Sequence, residues 1–235
     1  KNVEDKLKYP VGLAGFTVVT ENDASVNISF RKKDYLAYGF DKLKVYHKID
    51  TAVWEIDPGI DTAFYSLSYY PDSAFSVFKF DKIRSRINLN IHKKKDTASK
   101  YFLNGFLTEN SNPGIVYHSV GVNGAEVESW LKCKNLAPEI KSIDPDLIII
   151  SLGTNDSYTK EFDKSAFEAN MRKMVKLVRN NAPDAAILWI TPNDNYRYRR
   201  YLNYSTEGAV KVINRLGDDL NFMVWDFYKI MGELN

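Results

Sequence analysis

The sequence predicts an α/β fold with a parallel sheet, preceded by an antiparallel β-rich module, and three observations carry that expectation. Leu147 to Ile150 is an unbroken apolar run without alternation, the pattern of a central parallel strand covered on both faces. From residue 114 onward, short apolar runs interleave with stretches of helical periodicity. Before about residue 110, apolar and polar residues instead alternate singly. Asn112-Pro113-Gly114 marks the change, giving two expected domains, 1–111 and 112–235.

In the first domain, Val26, Ile28 and Phe30 alternate with polar residues, as do Leu43 with Val45 and Ile87 with Leu89 and Ile91. Pro58-Gly59 and Pro71-Asp72 supply turns between them. Several short strands with regular turns predict a separate β-sandwich. Aromatic residues are dense here (Trp54, Phe64, Tyr65, Tyr69, Tyr70, Phe75, Phe78, Phe80). Two readings stand for them: inward core filling, which alternation already requires, and a sugar-stacking surface.

In the second domain, strands are expected at 115–119, 147–152, 186–190 and 222–225. Between them, Val127, Trp130, Leu131 and Ile140 fit a helix with an apolar stripe. Phe167, Met171, Met174, Val175 and Val178 fit another, with Asp163 or Ser165 as N-cap and Pro183 beyond its end. Val212, Ile213 and Leu216, behind Thr206, indicate a third. Crossover helices between consecutive strands would order the strands into one parallel sheet.

Composition narrows the function classes. A chain of 235 residues, 44% hydrophobic, can bury one sizeable core or two modest ones. Lys+Arg 32 against Asp+Glu 30 leaves a formal charge of +2. The only basic cluster of note, His92-Lys-Lys-Lys95, is too short for a nucleic-acid site and reads as a solvated hairpin tip. No run approaches the roughly 18 apolar residues of a spanning helix, and no signal-peptide core is visible. A single cysteine, Cys133, excludes an internal disulfide. Lys132 and Lys134 would lower its thiol pKa if it were exposed, but no downstream His completes a Cys-His pair. No Cys/His cluster has metal-ligand spacing and no phosphate-cradling loop is present, so neither metal nor cofactor is expected.

Two segments carry the chemistry. Asp144-Pro-Asp-Leu-Ile-Ile-Ile-Ser-Leu-Gly-Thr-Asn-Asp156 is a strand that delivers Asn155 to its carboxyl end, where ligands of parallel sheets bind. Gly114-Ile-Val-Tyr-His-Ser-Val-Gly-Val-Asn-Gly-Ala125 is an apolar stretch running into a Gly-containing loop and then a helix. Asp156 reads as structural, bonding backbone N–H groups of its loop. Tyr196-Arg-Tyr-Arg-Arg-Tyr201, after Thr191-Pro192, has two readings: a contact for an anionic or carbohydrate substrate through Arg197 and Tyr198, and an ordinary surface loop.

Together these segments resemble the SGNH (GDSL-like) hydrolase family, and the likeness implies a flavodoxin-like parallel sheet of SGNH-hydrolase type. Trp189-Ile-Thr-Pro192 looks like the family's fourth strand, and Val224-Trp-Asp-Phe-Tyr-Lys-Ile-Met231 like its fifth strand and following helix. Residues 10–20 resemble the start of a β-rich insert in a Bacteroidetes-type subgroup. By this resemblance the Gly121 backbone and the Asn155 side chain donate N–H groups to an oxyanion. Such donors, preorganised in a low-dielectric pocket, are each worth roughly 3 to 4 kcal/mol.

The family's nucleophile block, Gly-Asp-Ser, and its base block, Asp-x-x-His, do not occur here. None of the histidines His47, His92 and His118 lies downstream of Asn155. Ser73 follows Pro71-Asp72 in an aromatic, loop-like stretch without the strand-then-helix setting of a nucleophile. The resemblance therefore implies a domain incomplete at both ends, with the Ser and the Asp/His pair outside these residues. The implied activity is removal of O-acyl, chiefly acetyl, groups from an acylated carbohydrate, a polysaccharide or peptidoglycan, in the periplasm, cell envelope or medium. The alternative is a catalytically incomplete carbohydrate-binding or scaffolding protein on the same fold. A flavodoxin-like binding domain is the weakest reading, for want of a phosphate loop.

Overall fold

The computed structural model describes residues 9–30, 39–159 and 161–233. The chain divides into two compact units: Phe16–Val120, and the residues on either side of it, through Gly15 and from Gly121 onward.

The Phe16–Val120 unit is antiparallel. Its strands are β1 (Val18–Thr20), β2 (Ala24–Ser29), β3 (Phe40–Lys48), β4 (Trp54–Asp57), β5 (Tyr65–Tyr70), β6 (Phe75–Arg84), β7 (Arg86–Lys93) and β8 (Tyr101–Glu109). They form a five-stranded sheet, β1-β8-β3-β6-β5, and a three-stranded sheet, β2-β7-β4. Alternation sets which residues point inward: Leu43 and Val45 of β3, Phe78 of β6, and Ile87, Leu89 and Ile91 of β7 are buried in one core shared by the two sheets. Trp54, Phe78, Phe80 and Tyr101 also lie in that core, whereas Phe64, Tyr69 and Tyr70 are exposed. Core filling thus accounts for Trp54, Phe78 and Phe80 of these aromatic residues, and Phe64, Tyr69 and Tyr70 stay at the surface. His47 is buried too, neutral, its Nδ1 2.5 Å from Tyr101 Oη and its Nε2 2.7 Å from Ser76 Oγ. Burial pushes its pKa down to about 3, because the charged imidazolium would lose its hydration there.

The second unit alternates helix and strand. Its elements are α1 (Val127–Leu131), α2 (Leu136–Ile143), β9 (Leu147–Ile150), α3 (Lys164–Asn181), β10 (Ala186–Ile190), the short pair β11 (Tyr196–Arg197) and β12 (Tyr201–Leu202), α4 (Ser205–Leu220), β13 (Met223–Trp225) and α5 (Phe227–Ile230). β9, β10 and β13 form a parallel sheet in the order β13-β10-β9. Asp163 caps α3, its carboxylate accepting from the N–H groups of Ser165 and Ala166. Phe167, Met171, Met174, Val175 and Val178 form the helix's buried stripe. They pack with Val212, Ile213 and Leu216 of α4 and with Ile150, Ile187 and Trp189 of the sheet.

Three expectations need correction here. Residues 115–119 form no strand: Ile115 is 98% exposed, and Val116 and Tyr117 are also exposed. An extended apolar segment becomes a strand only when a neighbour takes up its N–H and C=O groups. Among the described residues β9 is not central but an edge strand, and only one face of the sheet is covered. Side chains alternate, so Ile150, Ile187 and Trp189 meet α3 and α4 while Leu147, Ile149, Met223 and Trp225, each about half exposed, face the other way. The periodicity at 127–140 belongs to two short helices rather than one, parted by a turn in which the Leu136 N–H bonds the Cys133 carbonyl.

Candidate functional site

The site is built at the carboxyl end of β9. Beyond Ile150 the chain passes Gly153, whose φ of +123° is open only to glycine, with Pro192 and Phe167 in contact distance of any added Cβ. A tight turn follows: the Ser157 N–H bonds the Gly153 carbonyl at 3.0 Å, and the Tyr158 N–H bonds the Asn155 carbonyl at 3.1 Å. Trp189 steadies the entrance, its indole N–H donating to the Leu152 carbonyl at 3.1 Å. The turn leaves Asn155 exposed at the rim.

Two side chains tie this turn to the loop before α1. Asn155 Nδ2 donates to the Ala125 carbonyl at 2.9 Å. Asp156 Oδ1 accepts the Val127 N–H at 3.0 Å, satisfying one of the donors that the start of α1 leaves without an intrahelical partner. Burial raises the Asp156 carboxyl to about 6, against the pull of its backbone N–H partners. An amide nitrogen carries two hydrogens. Asn155 spends one on Ala125, and the other has no protein acceptor among the described residues.

Gly121 lies on the exposed stretch leading to Ala125, with no atom within 4 Å of an added Cβ and no left-handed φ. The structure therefore joins Asn155 to the Gly121–Ala125 loop at its far end, through Ala125. Arg197 and Tyr198 lie on the β11–β12 hairpin. Its base is fastened to the same turn by Asn203, which is fully buried and whose Nδ2 donates to the Ser157 carbonyl and to Asn195 Oδ1, both at 3.0 Å. Residue reading missed Asn203 and Tyr158 as anchors. The only hint in the chain was a short amide side chain placed just before α4.

The remaining candidates fall elsewhere. Ser73 ends a single 3₁₀ turn leading into β6, with no strand-to-helix elbow. Cys133 is half-buried and its thiol donates to the Ser129 carbonyl at 3.6 Å. Burial, with Glu139 nearby, raises its pKa, so the lowering that Lys132 and Lys134 would cause in an exposed thiol is overridden. His92 lies at the sheet surface, with Asp23 at 3.5 Å and Asp57 at 3.4 Å. No group of three or more metal-ligating side chains occurs among the described residues. A cleft of about 390 Å³ lined by residues of α4, Lys211 among them, and by Asp226 and Tyr228 includes neither Gly121 nor Asn155.

A family model for GDSL-like lipases and acylhydrolases matches residues 95–235, more than half of the chain. The chain belongs to the GDSL-like lipase/acylhydrolase family. Among solved structures, this family member is similar to a peptidoglycan O-acetylesterase at a TM-score of 0.68 and 18% identity, over 98% of this chain and 63% of the other. That likeness shows a shared fold, and the chain spans just under two thirds of the esterase's length. A family two carbohydrate esterase from Cellvibrio japonicus matches at 12% identity over 92% of this chain and 84% of the other, with a TM-score of 0.35. The periplasmic domain of a lipopolysaccharide acetyltransferase from Salmonella ser. Paratyphi A matches at 16% identity over 43% of this chain and 46% of the other, also at 0.35. Comparison with curated protein sequences gave no match. No described helix is long and apolar enough to cross a membrane.

Proposed function

We propose that these residues form the oxyanion-donating part of an SGNH-type serine esterase that removes O-acetyl groups from a cell-envelope or other polysaccharide. The observation that carries this reading is the Asn155 amide, held at 2.9 Å by Ala125 with its second hydrogen unspent. A donor fixed before the reaction begins costs no reorganisation as charge develops on the substrate oxygen. In this reading Asn155 and the Gly121 N–H stabilise the oxyanion. The nucleophilic serine and the Asp/His pair come from outside residues 1–235. The half-open parallel sheet, with Leu147, Ile149, Met223 and Trp225 exposed, supports a further layer against it. The similarity to a peptidoglycan O-acetylesterase makes an acetylated envelope glycan the first substrate to test and supports an activity outside the cytoplasm.

A second reading, a carbohydrate-binding protein without catalysis, is favoured by one observation: the exposed rings of Tyr196, Tyr198, Tyr201 and Tyr204. One assay tests where the nucleophile lies, and a second separates the readings. Residues 1–235 alone are expected not to turn over p-nitrophenyl acetate. In a longer protein carrying a Gly-Asp-Ser block, Asn155→Ala is expected to lower kcat about 10²- to 10³-fold with KM little changed. An unchanged kcat in that variant overturns the esterase reading of Asn155, and acylation of the isolated 235 residues overturns the external nucleophile.

A further inference from the structure

The β11–β12 hairpin concentrates two kinds of side chain. Within residues 196–202 stand Tyr196, Tyr198 and Tyr201, interleaved with Arg197, Arg199 and Arg200. The rings are exposed, Tyr198 by 81%, and Tyr204 beside them by 68%. None of the three guanidinium groups is in an ion pair among the described residues; Arg200 rests over the Tyr201 ring at 5.6 Å. Other arginines of this unit are spent on carboxylates: Arg172 on Glu168 and Asp219, Arg215 on Glu168. A chain of formal charge +2 thus keeps three uncommitted positive charges within four residues.

The hairpin is also held in an unfavourable shape. Tyr198 and Arg199 have φ of +54° and +58°, the left-handed pair of a mirror-type hairpin turn that Asn-Gly fills most easily. Tyr158 maintains it. Its hydroxyl accepts the Tyr198 N–H at 2.7 Å and lies 3.4 Å from the Tyr196 carbonyl, and its ring meets that of Tyr198 edge-on at 6.3 Å. Tyr158 belongs to the turn that presents Asn155, so the donor and the aromatic hairpin are carried by one anchored element.

We infer that this hairpin is a binding subsite for a carboxylate-bearing glycan strand, and the inference rests on the reading of Asn155 as part of an acyl-transfer site. Exposed flat rings such as that of Tyr198 stack against the apolar faces of pyranose units. The planar guanidinium forks of Arg197, Arg199 and Arg200 match carboxylates in two-pronged geometry. A neutral glycan would give the three arginines hydroxyl acceptors but no charged partner. Single-stranded nucleic acid also uses rings and arginines, but it needs a longer basic groove than these residues provide.

The test is calorimetric titration of residues 1–235 with hexagalacturonate, with its fully methyl-esterified form as the neutral equivalent, and with a thymidine dodecamer. The acidic hexamer is expected to bind at least about tenfold more tightly than its methyl ester at low salt. The triple variant R197A/R199A/R200A is expected to erase that difference, R197K/R199K/R200K to restore it in part, and Tyr198→Ala to weaken both sugars about fivefold. Unchanged circular dichroism of each variant keeps the comparison one of binding. Equal affinity for acid and ester, no response to the triple variant, or tighter binding of the dodecamer would each overturn the proposal. The catalytic reading and this one therefore fail separately: the former on kcat of a longer protein, the latter on affinity.

Discussion

Asn155 and Ala125 are joined by a 2.9 Å hydrogen bond across 30 residues of chain, and the neighbouring pair Asp156 and Val127 by one of 3.0 Å across 29. The first fixes a side chain of the candidate oxyanion site. The second closes the start of a helix. Together they make the two loops one structural element, so that disturbing either should be felt in both.

Replacing Asp156 by alanine leaves the Val127 N–H without its acceptor. The expected loss is about 1 to 3 kcal/mol in urea unfolding, the usual cost of an unsatisfied buried donor. Asp156→Asn keeps an acceptor oxygen and should lose less. Equal stability of the wild type and the alanine variant would mean that the two loops are not coupled.

Glycines 153 and 121 should respond differently to alanine. At 153 a φ of +123° puts any Cβ in strain, and the expected cost is about 1 to 3 kcal/mol. At 121 nothing lies within 4 Å and the backbone is ordinary, so Gly121→Ala should stay within about 0.5 kcal/mol. Thermal midpoints of the two variants provide the check, and the reverse order would contradict the structure.

His47 makes the antiparallel unit acid-sensitive. Its pKa is lowered from 6.5 to about 3, so between those values the unfolded chain binds a proton that the folded one refuses. Stability from this group is therefore present above about pH 6.5 and lost as pH falls toward 3, by up to about 5 kcal/mol in all. His47→Gln should flatten the acid limb of a denaturation-against-pH curve, and an unaltered limb would count against a neutral buried imidazole.

Glu139 acts in the opposite sense in the other unit. It is buried, with the Leu13 N–H at 2.5 Å from Oε2, and burial raises its pKa from 4.5 to about 7. The folded state holds the proton more tightly, so its contribution is present below about pH 4.5 and lost as pH rises through 7, on the order of 3 kcal/mol in all. Subtracting the pH profile of Glu139→Gln from that of the wild type should leave a difference that falls between pH 4.5 and 7. A difference that is flat across that range refutes the protonated carboxyl.

Short-range pattern in the chain located most of the regular elements. Unbroken apolar runs located β9, β10 and β13 to within a residue or two, and the 3.6-residue stripe from Phe167 to Val178 with Asp163 before it defined α3. Single-residue alternation at Val26 and Ile28 and from Ile87 to Ile91 marked paired antiparallel strands. Asn155 was legible because a strand must end somewhere, and its end is where a parallel sheet exposes polar groups. Tertiary structure decided the rest. Ile115 to Ser119 has strand composition yet forms none, because a strand is a relation between two segments and composition belongs to one. Leu147 to Ile150 reads as fully buried, but whether a face is covered depends on what packs there, and here α3 and α4 cover only one. The bonds of Asn155 to Ala125, Asp156 to Val127 and Asn203 to Ser157 link residues 29 to 46 positions apart. No periodicity reports such pairs, since the fold alone brings their donors and acceptors within 3 Å.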